Sequence, residues 1–251
     1  MEKEDYETVS CHVDWGPEGI AAAAARRDVA IIVDVLSFGT AVSTAVKAGA
    51  TIFPCTTQAE ALETAKLAGT HAAVHRRDVP MGSPFSLSPL TMVSARAGDQ
   101  ICVASPNGAT CCRMGGSAPG IFVAGLVNAR ETARAAAQTA RNHACGITVI
   151  ACGERHPNGA LRPAVEDWVG AGAIISYLQA TLSAEAEVCR EAYLAVLHRI
   201  PELLWKSESG QELRAAGYSR DVDFATSIDV HDTAVILHRG WLVAAASESS
   251  R

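Results

Sequence analysis

Asp34 is the side chain best placed to do chemistry. It interrupts the apolar run Ala30-Ile-Ile-Val-Asp-Val-Leu36 and is followed by the small-residue stretch Ser37-Phe-Gly-Thr40. A carboxylate at the carboxyl end of a buried strand, just before a turn into a helix, sits where open α/β sheets hold their ligands. Its hard oxygens suit Mg2+, which takes one or two carboxylates and fills its other positions with water or substrate phosphate. The competing role is that of a helix cap. A place inside an apolar run, rather than directly before a helix, favours chemistry. Two further segments share the layout, Ile101-Cys-Val-Ala-Ser-Pro-Asn-Gly108 and Ile147-Thr-Val-Ile-Ala-Cys-Gly153. Three strand ends of this kind predict one shared cleft.

Other groups are candidates to join Asp34. Ser105, Asn107, Gly108, Ala109 and Thr110 form a turn into a helix, whose amides and hydroxyls make an oxyanion site. Pro-Asn-Gly is also an ordinary turn sequence. Glu166 and Asp167 open an otherwise apolar helix. Neighbours on a helix point about 100° apart, so one acid, Asp167, is expected in the cleft while the other caps the helix or is solvated. Arg76 and Arg77 precede a proline-rich stretch, residues 76–89, that is expected to lie as an ordered loop over the cleft. Either arginine could clamp an anion bidentately. His71 and His75 lack the intervening glutamate of a metalloprotease helix, and the histidines are read as structural, His75 being the best exception. Cys152 and His156 offer a thiol nucleophile with a base as a further reading.

The positioning elements follow from periodicity and punctuation. Strands are expected at Thr8 to Val13, Val29 to Leu36, Thr51 to Pro54, Gln100 to Ala104, Gly120 to Ala124, Ile147 to Cys152 and Ile228 to Leu237. Helices are expected from Gly16 through Ala25, Gly39 to Ala48, Thr57 to Leu67, Leu90 to Ala97, Ala129 to His143, Val165 to Gln179, Ala184 to Leu197 and Ser207 to Ala216. A polar loop is expected to run through Pro163. Alternation of this kind predicts an α/β fold, a mainly parallel sheet with helices on both faces (three-layer α/β/α), in one domain over residues 1–251.

Bulk properties narrow the partners. A net charge of −6 over 251 residues provides no field to attract nucleic acid. No apolar run reaches the ~18 residues of a membrane span, and Met1-Glu-Lys-Glu-Asp-Tyr6 is too acidic for a signal peptide. Eight cysteines without a CxxC pair read as reduced, buried thiols of a cytoplasmic protein. A homo-oligomer is expected, with the helix around Trp168 and the apolar residues 184–204 as surfaces for a second copy.

Taken in order, Val33-Asp-Val-Leu36, Arg76, Leu87-Ser-Pro89, Ser105-Pro-Asn-Gly-Ala-Thr110, Gly125-Leu-Val-Asn128, Ile150-Ala-Cys-Gly153, Glu166-Asp-Trp-Val-Gly-Ala-Gly172, Ser209-Gly-Gln-Glu-Leu213 and Asp221-Val-Asp-Phe-Ala-Thr-Ser-Ile-Asp-Val230 resemble the 2-phosphosulfolactate phosphatase family. The resemblance implies a Mg2+-dependent acid phosphatase acting on 2-phosphosulfolactate, a small anionic phosphorylated substrate, on the route to coenzyme M. It implies metal binding by Asp34, Glu166 and Asp167, and catalysis by Asp34, Asp167 and Arg76. Substrate contacts are implied for Ser37, Ser105, Asn107, Gly108, Ala109, Thr110 and Asn128. The chain departs from the family pattern at Ser37, where the family has arginine. The lost guanidinium removes hydrogen bonds to an anion worth about 1.5–3 kcal/mol each. Pro106-Asn-Gly-Ala109 and Ser86-Leu-Ser-Pro89 are also less polar than the family's turns, and Val74-His75-Arg76 keeps only the arginine of its Gly-Glu-Arg. These departures leave a second reading, a member that binds a small anion without hydrolysing it.

Overall fold

The computed structural model of the protein describes residues 9–246. The readings of Met1 to Tyr6 and of Thr8 as the start of a strand lie outside the described residues.

In chain order the strands are β1 (Ser10–Trp15), β2 (Val29–Val33), β3 (Thr51–Cys55), β4 (His71–Ala72), β5 (Gln100–Ala104), β6 (Ile121–Ala124), β7 (Ile147–Ala151), β8 (Glu154–Arg155), β9 (Leu161–Arg162), β10 (Thr181–Leu182), β11 (Val235–His238) and β12 (Trp241–Ala244). The helices are α1 (Gly16–Arg26), α2 (Phe38–Lys47), α3 (Gln58–Ala68), α4 (Pro89–Met92), α5 (Gly108–Met114), α6 (Ala129–His143), α7 (Val165–Ser176), α8 (Ala184–Val196), α9 (Ile200–Lys206), α10 (Glu208–Ala215) and α11 (Ser219–Ala225).

Ten strands make one sheet in the order β10-β1-β7-β2-β6-β11-β12-β3-β5-β4. β2 is buried along its whole length between β7 and β6, both parallel to it. A strand covered on both faces reads as an unbroken apolar run, as Val29 to Val33 does. Its side chains alternate between two cores. Val29, Ile31 and Val33 face α6, α7 and α8, while Ala30 and Ile32 face α1, α2 and α5. The expected three-layer α/β architecture is therefore the one found.

The end of the chain departs from expectation. The stretch expected as a strand from Ile228 to Leu237 is extended only at Val235–His238, and it turns back through Arg239 and Gly240, both at positive φ, into β12. Two consecutive left-handed residues make the tight turn whose twist matches a hairpin. This hairpin inserts antiparallel into the middle of the sheet, β11 beside β6 and β12 beside β3, joining two parallel blocks.

Other bounds shift for local reasons. The helix expected over Leu90 to Ala97 is regular only at Pro89–Met92, after which Ser94 and Ala95 donate to carbonyls three residues back. α7 stops at Ser176, short of Gln179, because Tyr177 and Leu178 tighten into the same three-residue pattern. The polar loop through Pro163 contains the small hairpin β8–β9.

Apart from its acid pair α7 is apolar, and it is buried along most of its length. Trp168 is half-buried and stacks on Trp15, ring centroids 5.2 Å apart. Val188, Leu194 and Leu197, in and just after α8, stay exposed. No helix among the described residues is long and apolar enough to cross a membrane.

His231 ties the segment before β11 to the core, its N–H donating to Val127 O at 2.8 Å. The ring is buried, Nδ1 has no hydrogen-bond partner among the described residues, and burial, then Lys47, lower its pKa to about 4. A base depressed in the folded state leaves the unfolded chain to take up the proton first. Its stabilisation is complete above the unfolded value of 6.5 and is lost as pH falls towards 4, by up to roughly 3 kcal/mol. The difference in urea midpoint between the wild type and His231→Phe should therefore narrow or reverse between pH 7 and pH 4.5. A constant difference would show that His231 is not the titrating group.

Candidate active site

The backbone after β2 is pinned before any ligand is considered. Asp34 N–H donates to Ala124 O, extending the ladder one residue past the strand, and Asp34 O accepts from Gly39 N–H at 2.7 Å. The side chain then does two jobs. Oδ1 accepts from Phe38 N–H at 2.9 Å, at the first turn of α2, and Oδ2 accepts from Gly108 N–H at 3.2 Å, at the start of α5. Four strands, β6, β11, β12 and β3, separate β2 from β5 in the sheet, yet the turn after β5 reaches Asp34. Gly108 permits this approach, since a Cβ there would lie 2.9 Å from Asp34 Oδ2 and against the Phe38 ring.

A cavity of about 330 Å3 opens beyond these strand ends. It brings together five of the residues expected from sequence: Asp34, Ser37, Arg76, Ser105 and Asn107. Arg76 is held by three hydrogen bonds. Nε donates to Asp221 at 2.8 Å, and Nη2 donates to Ser37 Oγ and to Leu87 O, both at 2.7 Å. Its guanidinium also packs over the Tyr218 ring at 5.3 Å. Among the described residues Nη1 has no partner, so one edge of the guanidinium remains for an anion. Arg77 is exposed and, among the described residues, pairs only with neighbouring Asp78.

The remaining expected residues do other work. The Gly108 N–H is shared between Asp34 Oδ2 and Ser105 Oγ, and Asn107 N–H also donates to Ser105 Oγ. These amides are committed to organising the turn. Ala109, Thr110 and Asn128 do not line the cavity. Asn128 is fully buried and accepts from Gly125 N–H, fixing the turn after β6. Cys152 is buried, and its thiol is held well above the ordinary range, first by its contact with Cys111 and then by burial; His156 is exposed. That rules out a Cys152–His156 nucleophile pair. His75 is likewise exposed, and all eight cysteines are free thiols.

The acid pair on α7 behaves differently from the expectation that one would cap or be solvated. Both Glu166 and Asp167 are buried. Asp167 Oδ1 accepts from Val35 N–H at 2.8 Å and Oδ2 from Gly153 N–H at 2.9 Å. It staples the ends of β2 and β7 behind the cavity instead of lining it. Because α7 is packed along most of its length, both acids are drawn inside. Among the described residues no hydrogen bond reaches the Glu166 carboxyl.

Two acids in the cavity, Glu154 and Glu212, lie outside the expected site residues. Glu154, the first residue after Gly153, lines it and accepts from Asn107 Nδ2 at 2.8 Å. Its place one residue beyond the third strand-end motif was the available signal. Ser209, Glu212, Leu213, Ala216 and Tyr218, on and after α10, close the other side. That wall was visible in sequence only as a motif of the resemblance.

Electrostatically the site is crowded with negative charge. Burial raises the pKa of Asp34 to about 7, reinforced by Glu154 and Glu166 and opposed by the two amides. Burial, then Asp34 and Glu166, push Asp167 well above the usual carboxylate range despite its own amide bonds. Glu154 is raised by burial, with Asn107 and Arg162 opposing. Among the described residues no three His, Cys, Asp or Glu side chains form a metal cage, so the trio Asp34, Glu166 and Asp167 is not assembled as one. The arrangement fits the looser Mg2+ mode, in which one or two carboxylates hold an ion that also binds water and a phosphate. Of the three acids lining the cavity, Asp34, Glu154 and Glu212, the first two lie at strand ends, and Glu154 raises the proton affinity of Asp34; a divalent cation between them would relieve that repulsion.

The layered sheet, with its polar cavity beyond the carboxyl ends of the strands, defines an open-sheet α/β protein of the kind that binds ligands at that edge. The model of the family described as 2-phosphosulpholactate phosphatase matches residues 16–240, and the chain belongs to that family. Two relatives agree. A probable 2-phosphosulfolactate phosphatase of Symbiobacterium thermophilum is 29% identical over 230 residues, covering 86% of this chain and 93% of its own. Another of the same description, from Carboxydothermus hydrogenoformans, is 30% identical over 210 residues, covering 80% and 83%.

Proposed function

We propose that this protein is a Mg2+-dependent phosphatase that hydrolyses the phosphate ester of a small hydroxy acid to the hydroxy acid and phosphate. The observation that carries the reading is a cavity in which buried Asp34 stands with Arg76, whose Nη1 edge is uncommitted. The family and the names of the two relatives supply the reaction class.

Asp34 and Glu154 would hold the ion, which when bound neutralises charge on the phosphoryl oxygens and orients the ester. Arg76 donates from Nη1 to the phosphoryl group or the substrate carboxylate, and its three fixed hydrogen bonds remove the cost of ordering it during reaction. Ser37 Oγ already accepts from Arg76, which leaves its hydroxyl hydrogen for the ligand. Asn107 orients Glu154, and Asp167 keeps the ends of β2 and β7 in register behind the site. We propose a cytoplasmic location on the eight unpaired cysteines.

The test is release of inorganic phosphate from 2-phospholactate, 2-phosphosulfolactate and related esters. Turnover should require Mg2+, stop with EDTA and return when Mg2+ is restored. No release from any ester between pH 5 and pH 8 would overturn the reading. The internal commitment of the Gly108 and Asn107 amides favours one alternative, binding without hydrolysis. Thermal stabilisation by an ester with no phosphate released would decide for it.

A further inference from the structure

We infer that the cavity selects phosphate esters whose remainder carries a single anionic group, and that it discriminates against the doubly anionic tail of 2-phosphosulfolactate. The inference rests on the phosphatase reading and concerns the part of the substrate that does not react.

Three of the four charged side chains lining the cavity are acids, Asp34, Glu154 and Glu212, and the fourth is Arg76. Arg76 is already paired with Asp221 at 2.8 Å, and only its Nη1 edge is uncommitted. The next cation, Arg162 on β9, does not line the cavity, although its charge is felt by Glu154. It pairs with Glu208 at 2.7 Å and Glu212 at 3.3 Å, and its side chain is 12% exposed. A divalent ion held by Asp34 and Glu154 would answer the charge of the phosphate and leave none over for the tail.

2-Phosphosulfolactate brings a carboxylate and a sulfonate besides its phosphate, and a sulfonate stays ionised at every relevant pH. The edge of Arg76 matches one of them. The second would meet Leu213, Ala216, the Ser209 hydroxyl and the Glu212 carboxylate. An anion placed there gains no uncommitted cation and faces the Glu212 carboxylate, which is 60% exposed and paired with Arg162, so the repulsion is partly screened. A tail with one carboxylate, or with a carboxylate and a methyl or hydroxyl group, meets a matched surface instead. Glu212 is thus a specificity residue, placed by α10.

The experiment compares kcat/KM for 2-phospholactate and 2-phosphosulfolactate at saturating Mg2+ in the wild type, Glu212→Gln and Ala216→Lys. It also measures thermal stabilisation by each ester. Ala216 is exposed at the end of α10, where a lysine folds readily and favours the helix terminus. The wild type should prefer 2-phospholactate by roughly tenfold or more. Each variant should shift the ratio towards 2-phosphosulfolactate by roughly three- to tenfold, the effect of one charge at short range in a partly screened site. Equal rates, a wild-type preference for 2-phosphosulfolactate, or a ratio unmoved in both variants would overturn the inference and leave the phosphatase reading standing. If neither ester releases phosphate, that reading fails separately. The order of thermal stabilisation then decides the inference, and no difference between the esters counts against it.

Discussion

Asp34→Asn is expected to lower phosphate release by on the order of a thousandfold while the protein still folds. The carboxylate is the one acid that lines the cavity, terminates β2 and touches the turn after β5. An amide has one acceptor oxygen where the carboxylate has two. It can keep the Phe38 N–H or the Gly108 N–H, and it presents its own NH2 to the other. An unsatisfied buried donor costs about 1–3 kcal/mol. Against this, the substitution removes a charge that burial, Glu154 and Glu166 all oppose. The two effects have opposite sign, so the urea midpoint at pH 7 should stay near that of the wild type while activity collapses. Stabilisation by Mg2+ in the absence of substrate should disappear as well, which separates loss of the ion from loss of another catalytic role. A variant that folds and turns over within a few-fold of the wild type would remove Asp34 from the mechanism.

Arg76→Ala is expected to damage activity and stability together. Asp221 is 3% exposed, and its carboxylate is satisfied by Arg76 Nε on one oxygen and by Ser88 Oγ at 2.6 Å on the other. Removing the arginine strands a buried charge, a loss of about 3–5 kcal/mol. It also frees Leu87 O and Ser37 Oγ, which hold the loop over residues 76–88 against α2. Activity should fall at least a hundredfold, because the lining loses its cation. The double variant Arg76→Ala/Asp221→Asn separates the two roles. It should recover much of the stability by removing the stranded charge, and none of the activity. Recovery of phosphate release in the double variant would show that Arg76 acts only by supporting the fold.

Much of the architecture was legible because its signals are local. The apolar run of β2, the alanine-rich α6 from Ala129 to His143 and the glycine stop after α3 each follow from a few neighbouring residues. Asp34 was legible for the same reason, since an acid within an apolar strand has few structural explanations. Even so, the expectation of a catalytic group as opposed to a cap was too sharp, because the carboxylate also receives the first amide of α2.

The remainder depended on contacts between distant parts of the chain. Arg76 and Asp221 are 145 residues apart, and nothing near either names its partner. The C-terminal hairpin was expected as one strand because strand pairing is chosen by long-range fit. Its insertion between β6 and β3 is set by gaps in two parallel blocks that no local pattern records. The acid pair on α7 was misjudged because helical geometry fixes the angle between neighbouring side chains and says nothing about what surrounds the helix. With both flanks packed, Glu166 and Asp167 are both inside. Composition and periodicity thus settled the layered α/β fold and its strand-end acid. Which carboxylates share the cavity, which amides are already committed and which wall α10 supplies were settled by folding, since a side chain's direction follows from the packing of elements far apart in sequence.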